Sequence, residues 1–274
     1  MKCSDMGMLV SMKEKQQIIY YQNELEDEFS RAKIQSRRID QNYSYDNGKL
    51  CRRIGHRILY SLCAKPLARL FLHYKFHHCV VNRDMIDKTF VESGRTGFFL
   101  YGNHTHALAD ALIPSMVCDP VDAYVIVHPN NVSMPILGRI TPCLGALPLP
   151  DDKVAARNFI EAVQREIERG NCVVIYPEAH IWPYYTKIRP FSEASFRYPL
   201  QFHVPVFCFT NTYQRRRRGK GVDIVTYVDG PFYGDDRLKG RQQRKELRDR
   251  VYAAMTERSR ENRIERIKYI KVSN

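Results

Sequence analysis

The chain contains no run of about 18 apolar residues, so no helix is expected to span a bilayer. None of its eight cysteines, at 3, 51, 63, 79, 118, 143, 172 and 208, pairs with another in a C-x-x-C spacing. That excludes a zinc ribbon and argues against a disulfide framework; several lie within apolar runs, as free buried thiols in a reducing compartment do. No G-x-S-x-G is present, so a serine nucleophile on a strand-to-helix elbow is not expected. His73, His77 and His78 lie close together, but no cysteine or carboxylate spacing completes a metal site. The first ten residues are too short and too mixed for a secretory signal. Acidic residues are the minority charge, 30 against 43 Lys and Arg, for a net +13. Such an excess implies an anionic partner: a membrane surface, a phosphorylated substrate or nucleic acid.

What is present is a core of ordinary size. With 274 residues and 44% hydrophobic content, the chain suits one large domain, or one domain with a small helical extension. Residues 12–40 are polar and charged with scattered apolar points, as in a solvated helix. Asn42 to Gly48 reads as a turn-rich linker. From Lys49 to Phe76, Leu50, Ile54, Ile58, Leu62, Leu67, Leu70, Phe71 and Tyr74 recur at helical spacing among arginines and lysines, and Pro66 should kink or split the helix. A basic amphipathic helix of this kind fits the membrane interface; an ordinary core-packed helix is the alternative. The N-terminal helical region is thus placed at 1–77.

Over residues 78–274 apolar strands alternate with helices. Strands are expected near 78–82, 97–101, 122–127, 144–149, 171–176, 204–210 and 222–228. Helices are expected near 107–118, 132–140, 152–169, 193–201 and 240–268. That rhythm predicts an α/β fold with a mostly parallel central sheet flanked by helices. Asp151 and Asp152 start the helix at 152, and Gly170 stops it. The run Arg215 to Arg218 falls between two strands, as a headgroup-binding or merely solvated hairpin tip. No recognisable nucleic-acid motif accompanies it, which argues against nucleic acid as the partner.

The candidate site begins where the apolar strand Phe98 to Tyr101 ends. Gly102-Asn103-His104 turns into a helix carrying Asp110. A histidine at a strand end can face a cleft on a rigid backbone, and an aspartate one to two turns later can fix its tautomer. A second strand, Val173 to Tyr176, ends in Pro177-Glu178, followed by a loop carrying Trp182, Tyr184 and Tyr185. Those rings suit a membrane interface or a cap on the core.

Together these segments resemble the glycerolipid acyltransferase family, which includes the lysophosphatidate (1-acylglycerol-3-phosphate) acyltransferases. Asn103, His104 and Asp110 resemble its first motif and Tyr176-Pro177-Glu178 its third. Leu137-Gly138-Arg139 through Leu147 loosely resembles its second, and Val204-Pro205-Val206 its fourth. The first motif usually has four residues between histidine and aspartate; His104 and Asp110 have five, and His106 and Asp110 three. His104 is the better match because it follows Asn103. The third motif's Gly-Thr-Arg is replaced by Ala179-His180-Ile181, and the second motif's arginine aligns near Asp151.

The resemblance implies a peripheral enzyme of phospholipid biosynthesis on the cytoplasmic face of a membrane. It would move a fatty acyl group from acyl-CoA or acyl carrier protein to a lysophospholipid hydroxyl, with no further cofactor. His104 and Asp110 are the expected catalytic pair. Asn103, Glu178, Arg139, Arg189, Lys187 and His180 are the expected acceptor-binding residues, Arg139 and Arg189 leading because guanidinium grips phosphate bidentately. The alternatives are a catalytically altered relative or a basic membrane- or nucleic-acid-binding protein. The reading makes a geometric demand. An Asp110 oxygen should sit about 2.6 to 3.2 Å from an imidazole nitrogen of His104. A wide first turn or π-bulge should absorb the extra residue. Glu178 should line the same cleft, with Arg139 or Arg189 near its mouth.

Overall fold

The computed structural model describes residues 17–29, 35–45, 57–135, 137–217 and 221–272, excepting the side chains of Arg57 and Arg139. The linker residues 46–48, the helix positions Leu50 and Ile54, and the tip residues 218–220 lie outside the described residues.

Seven strands form the main sheet: β2 (Cys79–Val81), β3 (Phe98–Gly102), β4 (Ala123–Val127), β5 (Ala146–Pro148), β6 (Cys172–Ile175), β7 (Val206–Arg215) and β8 (Val222–Phe232). Their order is β2-β8-β7-β3-β6-β4-β5, and all neighbours are parallel except the β7–β8 hairpin. The centre explains the sequence pattern. β3 and β6 are buried along their whole length, because helices cover both faces and every side chain needs an apolar partner.

Successive residues of β3 feed opposite cores, as strand geometry requires. Phe98 and Leu100 pack with Leu72 and Phe76 of α1 (Lys65–Phe76), Ile86 of α2 (Asp84–Glu92) and Ile113 of α3 (Ala109–Val117). Phe99 and Tyr101 face the other core. There the short α4 (Leu137–Ile140) is followed by α5 (Lys153–Glu168), α6 (Arg197–Phe202) and α7 (Gly240–Ser259); Phe159, Tyr198 and Leu247 come from the last three. Each such buried side chain contributes roughly 1.5–3 kcal/mol. Asp152 caps α5 by accepting from the Val154 and Ala155 amides, at 3.0 and 2.8 Å. Gly170, at φ +79°, ends the turn beyond it.

Four expectations change. α2 forms where no helix was expected. The helix expected over 240–268 stops at Ser259, and Ile267–Lys271 is a strand, β9. It pairs in parallel with β1 (Gln17–Tyr21), inside the segment read as a solvated helix, so the described N-terminal stretch is not simply a helical extension. Lastly, the helical span before β2 is composite. Residues Arg57–Ala64 have π-type hydrogen bonding, and α1 starts at Lys65 with Pro66 in its first turn, where a missing N–H costs least.

That span carries two apolar faces. Ala68, Leu72 and Phe76 are buried against the sheet side, whereas Leu62, Leu67, Leu70 and Tyr74 are 54 to 70% exposed. Part of the basic tip is structural: Arg216 pairs with Asp223 at 2.7 Å and donates to the Lys75 carbonyl at the end of α1. No helix among the described residues is long and apolar enough to cross a membrane.

Candidate active site

The end of β3 is held close to its neighbour. A side chain at Gly102 would meet the Phe209 ring at 2.2 Å, so only glycine fits there. The next residue continues the pairing with its side chain. The Asn103 amide nitrogen donates to the Asn211 carbonyl at 3.1 Å, and its oxygen accepts from the Asn211 N–H at 2.8 Å. Asn103 is 2% exposed. It therefore positions the backbone before His104 and is too deeply buried to meet an acceptor, contrary to the expected substrate contact.

His104 Nδ1 lies 2.9 Å from Asp110 Oδ2. The same oxygen accepts the backbone N–H groups of Thr105 and His106, each at 2.8 Å. Oδ1 accepts from Asn211 Nδ2 at 3.2 Å. A carboxylate only accepts, so Nδ1 carries the proton and Nε2 presents its lone pair. The Tyr176 ring stacks on the imidazole at 4.5 Å, and its hydroxyl donates to the Asp110 carbonyl. Burial and the Asp110 charge push the Tyr176 phenol well above its ordinary range, so it stays a donor. His104 remains 18% exposed against 1% for Asp110.

The extra residue is not absorbed by a π-bulge. Residues 103–106 have no regular structure, the turn begins after His106, and α3 starts only at Ala109. Asp110 then reaches back over an ordinary first turn. His106 serves that turn: its Nδ1 accepts the Ala109 N–H at 3.1 Å, and its ring packs edge-on against Phe76 and Tyr184. Burial lowers the His106 pKa. The two histidines are thus divided between reacting face and helix start.

Glu178 and Arg189 correct the expectation most. Both side chains are 0% exposed. Glu178 Oε2 accepts the His104 backbone N–H at 3.1 Å and Oε1 accepts the Arg189 N–H at 3.0 Å. Arg189 Nη2 approaches Glu178 Oε2 at 3.4 Å and also donates to the His180 carbonyl; Nη1 donates to the Glu24 carbonyl at 3.2 Å. Burial raises the Glu178 pKa, opposed by the Arg189 charge. Neither group lines a cleft or can reach a substrate phosphate; together they clamp the backbone of His104.

The loop between them is also internal. Trp182 is fully buried among Tyr21, Phe29, Tyr185 and Tyr269, with the Arg189 guanidinium 4.9 Å from its ring. It caps the core and is not at a surface. The backbone N–H groups of Trp182 and Tyr184 donate to the carbonyls of His104 and Thr105, at 3.1 and 2.8 Å, while the Trp182 indole N–H donates to the Asp27 carbonyl at 2.8 Å. His180 is half-buried near Glu28, Lys187 is exposed, and the Arg139 side chain lies outside the described residues.

Sequence reasoning passed over Asn211 and Thr226, and weighed His78 only as a metal ligand. A faint signal existed: Thr210-Asn211-Thr212 is a polar run continuing an apolar strand, and all three are buried. Arg266, exposed and 4.8 Å over the Tyr184 ring, was also passed over. Among the described residues no cluster could hold a metal ion.

A mostly parallel sheet with a histidine–aspartate pair at one strand end, tied to a carboxylate at the next, is an α/β arrangement suited to general-base chemistry. A sequence model of the acyltransferase family matches residues 71–210, more than half of the chain. The chain belongs to that family. In structure it is similar to the 1-acyl-sn-glycerophosphate (LPA) acyltransferase PlsC from Thermotoga maritima, with a TM-score of 0.50 and 15% identity over 71% of this chain and 77% of that one. At that identity the likeness speaks to the fold. No curated protein sequence matches the chain.

Proposed function

We propose that the protein transfers a fatty acyl group from acyl-CoA or acyl carrier protein to the hydroxyl of a lysophospholipid such as 1-acylglycerol 3-phosphate, working peripherally on the cytoplasmic face of a membrane in phospholipid biosynthesis. The observation that carries this reading is the 2.9 Å bond from His104 Nδ1 to a buried carboxylate, which leaves Nε2 as the basic nitrogen. Nε2 takes the acceptor's hydroxyl proton as its oxygen attacks the thioester carbonyl. Asp110 holds the imidazolium that forms. The tetrahedral intermediate then collapses, the carbon–sulfur bond breaks, and Nε2 returns the proton to the leaving thiolate. A positioned base of this kind contributes about 10²- to 10⁴-fold.

The acceptor's phosphate needs a cation other than Arg189, whose guanidinium is sealed. We assign that role to Arg266, which is exposed over the Tyr184 ring that packs on His106. The outward apolar face of residues 57–76, interspersed with Arg69 and Lys75, suits the headgroup–acyl boundary of an anionic leaflet. Thiol release from an acyl thioester, measured across phosphorylated and unphosphorylated lyso-acceptors, tests the reaction. Absence of acceptor-dependent release with every donor would refute it. Cosedimentation with anionic vesicles, compared with RNA at matched salt, tests the partner; preference for RNA would replace the membrane reading.

A further inference from the structure

Behind the catalytic pair runs a chain of hydrogen bonds with a single direction, buried as far as Thr226 and partly buried at His78. Asn211 Nδ2 donates to Asp110 Oδ1 at 3.2 Å. Asn211 Oδ1 accepts from the Thr226 hydroxyl at 2.7 Å. Thr226 has one hydroxyl proton, already given to Asn211, so its contact with His78 Nε2 at 2.9 Å makes that nitrogen the donor. Asn211 and Thr226 are 1% and 0% exposed, so water cannot substitute for either partner.

We propose that Asn211 and Thr226, anchored by His78, are positioning residues that fix the rotation of the Asp110 carboxylate and so keep its plane aligned with the His104 imidazole. The inference rests on the acyl-transfer reading for its kinetic consequence, but its geometric content stands apart. A carboxylate can rotate about its last torsion. Oδ2 already serves three N–H groups, and only Oδ1 is left to be claimed. Asn211 claims it with an amide that cannot itself turn over, because Thr226 requires a carbonyl oxygen at the other position. The backbone of Asn211 is in turn bracketed by Asn103, so one residue registers both the strand end and the carboxylate. His78 neither touches the pair nor needs a charge to act; its N–H orients the hydroxyl. A misplacement of about 1 Å in such a constellation costs on the order of 10²-fold in rate.

Thr226→Val keeps the shape and the strand preference while removing the hydroxyl. Thr226→Ser restores the hydroxyl in a smaller side chain, and Asn211→Leu removes the hub. The expected result for Thr226→Val is a fall in kcat of roughly 10- to 100-fold with both KM values nearly unchanged. Thr226→Ser should recover most of the rate, and Asn211→Leu should lose more than Thr226→Val. Nitrogen-edited proton spectra give the second readout. The His104 Nδ1 proton, assigned by its loss in His104→Ala, should resonate far downfield in the wild type. It should move upfield or broaden in Thr226→Val, and return in Thr226→Ser. Wild-type kcat and an unmoved resonance in Thr226→Val would overturn the proposal, as would a loss that Thr226→Ser shares in full. If the wild type shows no transfer with any acceptor, the function reading fails and the resonance alone decides the positioning claim.

Discussion

Two acid–base pairs lie on either side of the His104 backbone, and they differ in one respect that decides their use. Asp110 and His104 pair at 2.9 Å with the imidazole edge reaching solvent; Glu178 and Arg189 approach at 3.4 Å with both groups sealed. The first can exchange a proton with a visitor. The second has surrendered that ability, and its carboxylate spends its oxygens on two backbone N–H groups and a guanidinium. His104, Asp110 and Glu178 all belong to segments that resemble the same family's motifs, whereas Arg189 lies in the loop beyond them. Membership in a motif therefore says where a charge sits in the chain, and accessibility says what the charge is for.

The comparison breaks most sharply at His104. His104→Ala should lower kcat about 10²- to 10⁴-fold while the melting temperature stays near the wild-type value. His106→Ala should cost less activity and more stability, because His106 holds the first turn of α3; the reverse ranking would reassign the base. At the sealed pair the two readouts exchange places. Arg189→Met strands a buried carboxylate, and breaking such a pair typically costs about 3–5 kcal/mol. Denaturant unfolding should show that loss, and activity should fall equally on phosphorylated and unphosphorylated acceptors. A rise in KM confined to the phosphorylated acceptor would return Arg189 to the substrate.

A smaller effect follows from His78. Burial lowers its pKa to about 4, against 6.5 for the free side chain. The unfolded chain binds that proton first, so the stability contribution is complete above pH 6.5 and is lost as pH falls from 6.5 toward 4. The difference amounts to roughly 3 kcal/mol, and His106, shifted the same way, adds to it. His78→Gln should flatten the pH dependence of unfolding across that window; an unchanged slope would place the titration elsewhere. The smallest effect belongs to the outer face of the helical span. Leu62→Ser and Leu70→Ser should each weaken binding to anionic vesicles by about 1 kcal/mol, and added salt should weaken it further. Binding indifferent to both would remove this face from the membrane.

The sheet and its flanking helices were legible because a doubly covered strand must read as a short apolar run, as Phe98 to Tyr101 and Cys172 to Ile175 do. The proximity of His104 and Asp110 was legible for a related reason: a strand end and the first turn of the next helix are near neighbours in any α/β unit. The route by which they meet was not. An irregular tetrapeptide and an ordinary helix start perform what a bulge was expected to do, and the His104 amide at its head is held by Glu178, more than 70 residues away. Arg189 was misplaced because a guanidinium in a loop reads as exposed; nothing local announces that Trp182 and the Glu24 carbonyl will cover it. β1 and β9 were illegible for the same cause. Their partners are about 250 residues apart, and each alone is a short mixed segment.

That pairing sets an order of assembly on the ribosome. The central strands β3, β6 and β7 are all made before β9, so the His104–Asp110 pair can form while the chain is still being extended. Tyr269, which stacks on Trp182 at 5.1 Å, comes only with the final strand. Until then Tyr21 and Phe29 lack the strand and the ring that hold them beside Trp182. A nascent chain halted at residue 266 would carry its base and orienter without the ring that stacks on Trp182, and the aromatic cluster around that tryptophan would be the last part completed.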